Sequence, residues 1–480
     1  MRKRRGVLVG VCAGVMALSG AAHAQTVVSL QDALQLARQS SGAVQGAQLD
    51  AQAQALQAQA LSGLGGPSLN LSSFAGRVSN SINLDLSQVA AVANPLIGVA
   101  DAAMPAVELP SIPNALQATR ITSLSSVGVG GVWPIYTGGR IAAVQGLAQG
   151  RAEEALAEQQ ASEHQLATQV AQRYFTVQLA RAAAALRAEV VLGVQAHQHN
   201  ALKLEAAGLI AHVDRLKADL ALDNARRDQA KARSDVSLAE VALQRLLALP
   251  QPPQPSTPLF VNSEGPGPLA DFVLAGRLHH PAWQKLAAKR EQAVQSLALQ
   301  GKAGAPNVVA LANYNVNHDS SKLLQPNWQV GIYLSLPLLS RIDHGLLRDA
   351  ARLQQQRVEL SARQADRDIP SLIESQWRAV ENARAEYLGG ASAIALAAEN
   401  LRLQRISFAQ FQSTSTDVTD AQLALARSQT ERLQAAHEYV LALSRLLEAC
   451  GQPDRLTEFA ARADITLPMT SSRSGAATPP

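Results

Sequence analysis

Trp328-Gln329-Val330-Gly331-Ile332-Tyr333-Leu334-Ser335-Leu336-Pro337 is the stretch on which the fold turns. Trp328, Val330, Ile332, Leu334 and Leu336 fall on one face, and Gln329, Gly331, Tyr333 and Ser335 fall on the other. Strict period two with one wholly apolar face predicts a β-strand that lays that face against an apolar medium. Pro337 has no N–H for a ladder and ends the strand. The next segment is of another kind. His344 to Gln410 reads as one very long helix with Pro370 inside it, which predicts a kink or local loosening there.

Moving outward, the same text occurs twice. Trp133-Pro134-Ile135 matches Leu336-Pro337-Leu338 at an offset of 203 residues, and Tyr174/Trp377, Asp214/Asp417 and Leu243/Leu446 keep that offset. Upstream, Leu30, Asp32, Arg38 and Pro67 match Leu269, Asp271, Arg277 and Pro306 at 239. The first copy therefore carries 36 extra residues, placed within Arg77 to Arg120. A constant register through many landmarks implies a tandem internal repeat.

The first repeat spans residues 25–249 and the second 269–451, joined by a stiff Pro-rich linker, 250–268. Each opens with a helix of about thirty residues, Leu30 to Leu61 and Leu269 to Leu299, by helical periodicity. Two strands follow, 68–78 and 125–133 in the first copy, 307–316 and 328–336 in the second. Then come a long helix, 141–207 or 344–410, and a return helix, 213–247 or 417–450. Residues 141–207 contain no proline and would reach roughly 100 Å as one helix. Gly208 breaks the first long helix, Ser413 to Thr416 break the second, and Asp417 is expected to cap the second return helix. Residues 452–480 read as a mobile tail.

Composition agrees with a mainly helical chain. Of 480 residues 88 are alanine, the best helix former, and only 4% are aromatic. Residues 1–24 have the form of a signal peptide: a basic start, Arg2 to Arg5, an apolar run from Val7 to Leu18, and Ala22-His23-Ala24 before the cut. The apolar run is too short for an anchor. Val9-Gly10-Val11-Cys12 is a poor lipid-attachment box and lies too early. Beyond the leader, 38 basic residues face 38 acidic ones, which argues against a nucleic-acid binder. Cys12 and Cys450 cannot build a disulfide framework. No apolar run of transmembrane length remains, so membrane entry is expected by strands.

Four strands per chain cannot close a barrel, whose smallest common form has about eight. Three chains supply twelve strands, and cyclic symmetry suits a protomer with two similar halves. The expected fold is mainly α with a small membrane β-barrel: a homotrimer with four strands per protomer, apolar faces toward outer-membrane lipid, and a helical body in the periplasm.

This order of elements resembles the TolC family of outer-membrane efflux and export proteins. Pro134-Ile135-Tyr136-Thr137-Gly138-Gly139-Arg140 is similar to that family's strand-to-helix junction. Asp417-Val418-Thr419-Asp420-Ala421-Gln422-Leu423 is similar to its return-helix motif, and Ala207-Gly208-Leu209-Ile210-Ala211 to its hairpin tip. The resemblance covers about residues 25 to 451. It implies a passive trimeric conduit with a twelve-stranded barrel and a helical tunnel, joined to an inner-membrane pump by a periplasmic adaptor (membrane fusion) protein. Drug or metal efflux and type I secretion both fit, and neither needs a cofactor in this chain.

The same resemblance implies site residues. Gly208 and Leu209 would dock the adaptor, although Gly208 also serves simply to end a helix. Taken alone, Asp417 and Asp420 are a cap and a first-turn acid. The resemblance implies that they line a periplasmic constriction, with Asp214 at the neighbouring tip and six carboxylates crowded so that some pKa values rise. The family's best-known member has a tyrosine and an arginine nine and four residues before the first aspartate. Here Phe408 and Ser413 stand in those places, so packing would hold the gate more than ion pairs.

Enzyme and metal readings fail on the residues. Gly128-Val129-Gly130-Gly131 lacks the third glycine of a dinucleotide loop, no Walker A motif exists, and His197-x-His199 and His279-His280 lack a partner at ligand spacing. The competing reading is an exported trimeric coiled-coil structural or adhesive protein without a pore, which leaves the paired strands unexplained.

Overall fold

A computed structural model describes residues 26–103, 110–316 and 327–467. The leader expected over 1–24 lies outside them. The chain is mainly helical and divides into two compact units.

One unit gathers Met1–Gln54, Arg151–Lys289 and Val358–Pro480. Its principal elements are β1 (Val27–Val28), α1 (Leu30–Ser40), α4 (Arg140–Ala206, entering from the other unit), α5 (His212–Leu246), β4 (Gln254–Pro255), β5 (Phe260–Val261), α6 (Leu269–His279), α8 (His344–Ala409), α9 (Ser415–Ala449), α10 (Leu456–Ala461) and β8 (Ile465–Thr466). The other unit takes Ala55–Gly150 and Arg290–Arg357 and holds β2 (Ser68–Asp85), α3 (Ser87–Ala103), β3 (Ala115–Tyr136), β6 (Asn307–Asn315) and β7 (Trp328–Ser335). Helices α2 (Gly42–Ser62) and α7 (Pro281–Gly301) run into it.

The opening helix of each half is two helices, not one of thirty residues. Ser41 ends α1 and His280 ends α6 in extended backbone, and these positions are 239 residues apart. At His280 the cause is Pro281, which disfavours helical dihedrals in the residue before it. Ser29 starts α1 with a full capping box: Asp32 N–H donates to the Ser29 hydroxyl, and Ser29 N–H returns to the Asp32 carboxylate at 3.2 Å. Helix α8 continues through Pro370.

The helical unit has an aromatic core. Tyr174 packs edge-on against Phe175, Phe175 against Phe260, and Phe260 against Tyr439. The buried Tyr174 hydroxyl donates to Val28 O at 2.9 Å and accepts from Thr257 N–H at 2.8 Å. Gln178 donates to Pro255 O and Thr257 O. The segment expected as a stiff linker, 250–268, is therefore built into this core. Its β4 pairs in parallel with β1, and its Leu259, Phe260 and Val261 are buried. The expected tail is corrected in the same way. Pro453, Leu456 and Phe459 are buried and β8 pairs with β5, while 468–480 lie outside the described residues. Apolar burial, worth about 1.5–3 kcal/mol per large side chain, fixes segments whose composition reads as linker and tail.

In the second unit four antiparallel strands lie in the order β2-β3-β6-β7. The first two are much longer than expected, 18 and 22 residues against 9 and 8 for β6 and β7. The extra residues of the first half thus lie largely in the longer β2–β3 ladder and in α3. Within the expected insert, residues 104–109 lie outside the described residues. The sheet is not closed: β2 and β7 are its edges.

Candidate functional site

The site residues fall in two places, the ends of the two helical hairpins and the four-stranded sheet.

Each hairpin end is a Schellman turn, in which a residue with positive φ reverses the chain and satisfies the last carbonyls. At the first end Gly208 has φ +70°, Gly208 N–H donates to Glu205 O and Leu209 N–H to Leu204 O. At the second, Phe411 has φ +62°, Phe411 N–H donates to Phe408 O and Gln412 N–H to Ser407 O. Nothing in the sequence marks Phe411, since a bulky residue is an outlier in that region. The break expected at Ser413 to Thr416 begins two residues earlier. Leu209 is exposed, 53% accessible, as adaptor docking would require.

The return helices start differently. Asp417 is not the N-cap. Thr414 is, and Asp417 completes a capping box from the third helical position. The Thr414 N–H and hydroxyl donate to Asp417 Oδ2 at 2.7 and 2.8 Å, and Asp417 N–H donates back to the hydroxyl. Those bonds, the backbone one first, hold the Asp417 carboxyl below the usual carboxylate range, with Lys217 adding to the effect. Within one chain the shift runs opposite to the rise expected of a crowded carboxylate ring. Helix α5 has Ala211 at the N-cap and no side-chain bond there. Its Asp214 lies 3.6 Å from Lys217. Asp420 is exposed beside a groove of about 350 Å³ floored by Val190, Val194, Leu220 and Leu423 and rimmed by Arg187, Lys217 and Asp228.

Phe408 and Ser413 are placed inside the hairpin packing. Phe408 is buried with Ala201, Ala218, Leu401, Val418 and Ala421. It meets the His197 ring edge-on, with centroids 4.8 Å apart. His197 Nε2 is 2.9 Å from the buried Ser415 hydroxyl. Burial, and then Arg405, lowers the imidazole pKa. Ser413 donates to Gln404 O at 3.3 Å. The His197–Ser415 pair escaped sequence reading because its members are 218 residues apart.

In the sheet, register assembles two contrasting faces. Leu69 and Leu71 of β2, Val129 and Trp133 of β3, Ala310, Ala312 and Tyr314 of β6 and Trp328, Val330, Ile332 and Leu334 of β7 share one side. On β7 these four residues are 65–73% accessible, and Leu336 just beyond is 53%. The other side carries Asn70, Ser72, Asn313, Asn315 and Gln329, with Gly128 and Gly130 between them, and gives way to Val132, Leu311, Val309 and Tyr333 toward the other end of the sheet. A Cβ on Gly130 would sit 2.9 Å from Asn70 Oδ1, and one on Gly128 3.1 Å from Asn315 Oδ1. The glycines set aside as a failed dinucleotide loop make room for amides. Their signal is a Gly-x-Gly whose strand partners alternate Asn and Ser. Residues 68–76, 127–136, 307–315 and 328–335 contain no charged side chain.

Among the described residues no helix is long and apolar enough to cross a membrane, and no group of three or more His, Cys, Asp or Glu could hold a metal ion.

Residues 33–249 match the family described as outer membrane efflux protein. No curated protein matches the chain by sequence. Among solved structures, the CusC transmembrane channel superposes with a TM-score of 0.73 at 17% identity, over 88% of this chain and 92% of that one. The Vibrio cholerae outer membrane protein VceC gives 0.71 at 14%, over 88% and 96%. The open-state Neisseria gonorrhoeae outer membrane channel MtrE gives 0.70 at 18%, over 88% and 89%. The fold is that of these proteins over most of its length.

Proposed function

We propose, from the premise that residues 33–249 belong to the outer membrane efflux protein family, that the chain is the outer-membrane channel of a tripartite efflux or type I secretion system. The observation that carries this reading is the open sheet. Within 68–76, 127–136, 307–315 and 328–335 the four strands carry no charge, turn one apolar face outward and place Asn70, Asn313 and Gln329 on the other, and the sheet ends in two unpaired edges. An open edge is a template for another strand. Three copies joining β7 of one to β2 of the next would close twelve strands with the apolar face to lipid and Asn70, Asn313 and Gln329 toward the lumen. A poreless rod gives no use for such a sheet.

The helical unit would extend into the periplasm. Gly208 and Leu209 would meet a periplasmic adaptor, and the adaptor an inner-membrane pump that supplies the energy. The chain itself would be a passive conduit. Asp417 and Asp420, with Asp214 close by, would form a ring of fixed negative charge at the constriction, attractive to cations. Phe408 and Ser413 would brace that ring from within, by packing and by the Gln404 carbonyl. The positive-φ pairs Gly208/Phe411 and Ala248/Gly451, each 203 residues apart, support a tandem duplication as the origin of the protomer.

Planar-bilayer recording tests the reading. The purified protein should run as a heat-modifiable trimer and conduct, and Asp417→Ala with Asp420→Ala should lower cation selectivity and weaken block by multivalent cations. A protein that neither conducts nor trimerises is not a channel. Unchanged selectivity and block in the double variant would remove the two aspartates from the pore.

A further inference from the structure

Helix α3 has three sides. Ala90, Ala93, Asn94, Ile97 and Ala100 are buried or half-buried, and Asn94 pins the following segment by donating to Ile112 O at 2.9 Å and accepting from Ile112 N–H at 2.8 Å. The solvent side carries Gln88, Ala91, Pro95 and Gly98. The third side carries Val89, Val92, Leu96 and Val99, at 53, 69, 66 and 69% accessibility. Their spacing is three, four, three, the a/d seam of a helix that packs against helices. A surface helix ordinarily turns polar residues outward. Here the exposed bulk is apolar and confined to one stripe, and the helix's one charged residue, Asp101, is half-buried away from it.

We infer that the stripe is covered by the same stripe of other copies of this chain, the three α3 helices of a trimer forming a short bundle at the outer end of the barrel; the inference rests on the proposed trimeric channel. Four observations select this occupant. The seam spacing asks for a helix. The stripe has no charge, so identical copies meet without repulsion. The arm can reach: beyond the last residues of β3 paired with β6, residues 74–85 of β2 and 115–126 of β3 continue as a two-stranded ladder of roughly 40 Å, and β2 is the edge strand through which the copies would join. The area is the fourth. Three such stripes bury on the order of 1,000 Å² in all, so each pair of helices falls well short of the area that holds two free proteins together, and the occupant is one that tethering on the same barrel keeps at high effective concentration.

Disulfide trapping in full-length protein in cell membranes tests this. Cys450 is buried and stays out of the reaction. Val92→Cys and Val99→Cys, oxidised with copper phenanthroline, should each run largely as cross-linked dimers on non-reducing gels, whereas Ala91→Cys on the solvent side should remain monomeric. A paired control joins the sheet edges, with one cysteine replacing Ser72 in β2 and one replacing Gln329 in β7. Cross-linking through the edges with none at Val92 or Val99 overturns the bundle and leaves the trimer standing, an outcome expected if the stripe lies against lipid. Equal cross-linking at Val92 and Ala91 overturns the seam. Loss of edge and stripe cross-links together removes the trimer and the inference with it.

Discussion

The two hairpin ends reverse the chain with the same backbone turn and hold it with different chemistry. At the first, glycine occupies the left-handed position at no steric cost. No side chain caps α5, and an ion cluster ties the arms: Glu205 at the end of α4 reaches Arg215 at 2.6 Å and His212 at 2.5 Å, and Arg215 also holds Asp219. At the second, Phe411 takes the left-handed position, Thr414 and Asp417 cap α9, and Ser415 with His197 ties the arms from inside. The first end is relaxed in backbone and fastened on the surface by charge. The second is strained in backbone and fastened by caps and buried contacts. Function can act on them separately, because salt weakens the first set of fastenings and acid the second.

The largest expected effect is on the backbone. Gly208→Phe should destabilise the first end by about 1–2 kcal/mol, the cost of a left-handed non-glycine residue. Phe411→Gly should gain less than about 1 kcal/mol, because glycine also enlarges the unfolded ensemble. Hydrogen exchange of peptides covering 203–217 and 406–420 reads both. Equal effects of opposite sign would mean that no contact of the Phe411 side chain offsets its left-handed backbone.

Next comes capping. Thr414→Ala should speed exchange at the start of α9 by the equivalent of about 1 kcal/mol, and Ala211→Ser should slow it at the start of α5 by less. If Ala211→Ser and Thr414→Ala are both silent, the ends do not differ in their caps.

The charge cluster follows. Glu205→Gln should cost about 1 kcal/mol, and the loss should shrink in high salt without vanishing, because Glu205 and Arg215 are half-buried. The same salt should leave the second end unchanged.

The pH response has a definite sign at the second end. The folded pKa of Asp417 is lowered, so its capping contribution is complete above the ordinary carboxylate value and is lost as pH falls through the lower folded one. Burial lowers the His197 pKa as well, so the neutral ring is the folded form and stability falls as pH drops below about 6.5, where the unfolded ring takes up a proton. Exchange at 406–420 should therefore rise in two stages on acidification, and His197→Gln should abolish the first.

The mainly helical character was legible in alanine and in long proline-free runs. The alternation at Trp328 to Leu336 was legible because side-chain period is fixed by strand geometry. Local signals failed where distant partners decide. Phe260 and Phe459 look like residues of a linker and a tail until the helices that bury them are present. Ser41 gives no warning that the first helix breaks there, whereas Pro281 does for its counterpart. Thr414 and Asp417 are both capping residues, and only the hydrogen bonds tell cap from third position. The ladder of β2 and β3 ran past its expected ends because Ser, Asn and Thr dilute the alternation there.

The pairing of β1 with β4 and of β5 with β8 has a consequence for the order of events in the cell. The core of the helical unit draws on residues near 28, 174, 260, 440 and 459, and its small sheets join segments more than two hundred residues apart. Such a core has little to gain from its early segments alone, and contacts of this separation form slowly. A ribosome or a translocation pore releasing the chain from its N-terminus would deliver residue 466 two hundred residues after Phe260. Until then the unit lacks the strand that closes on Phe260, and a chain exported as proposed above would stay open for threading until that strand arrives.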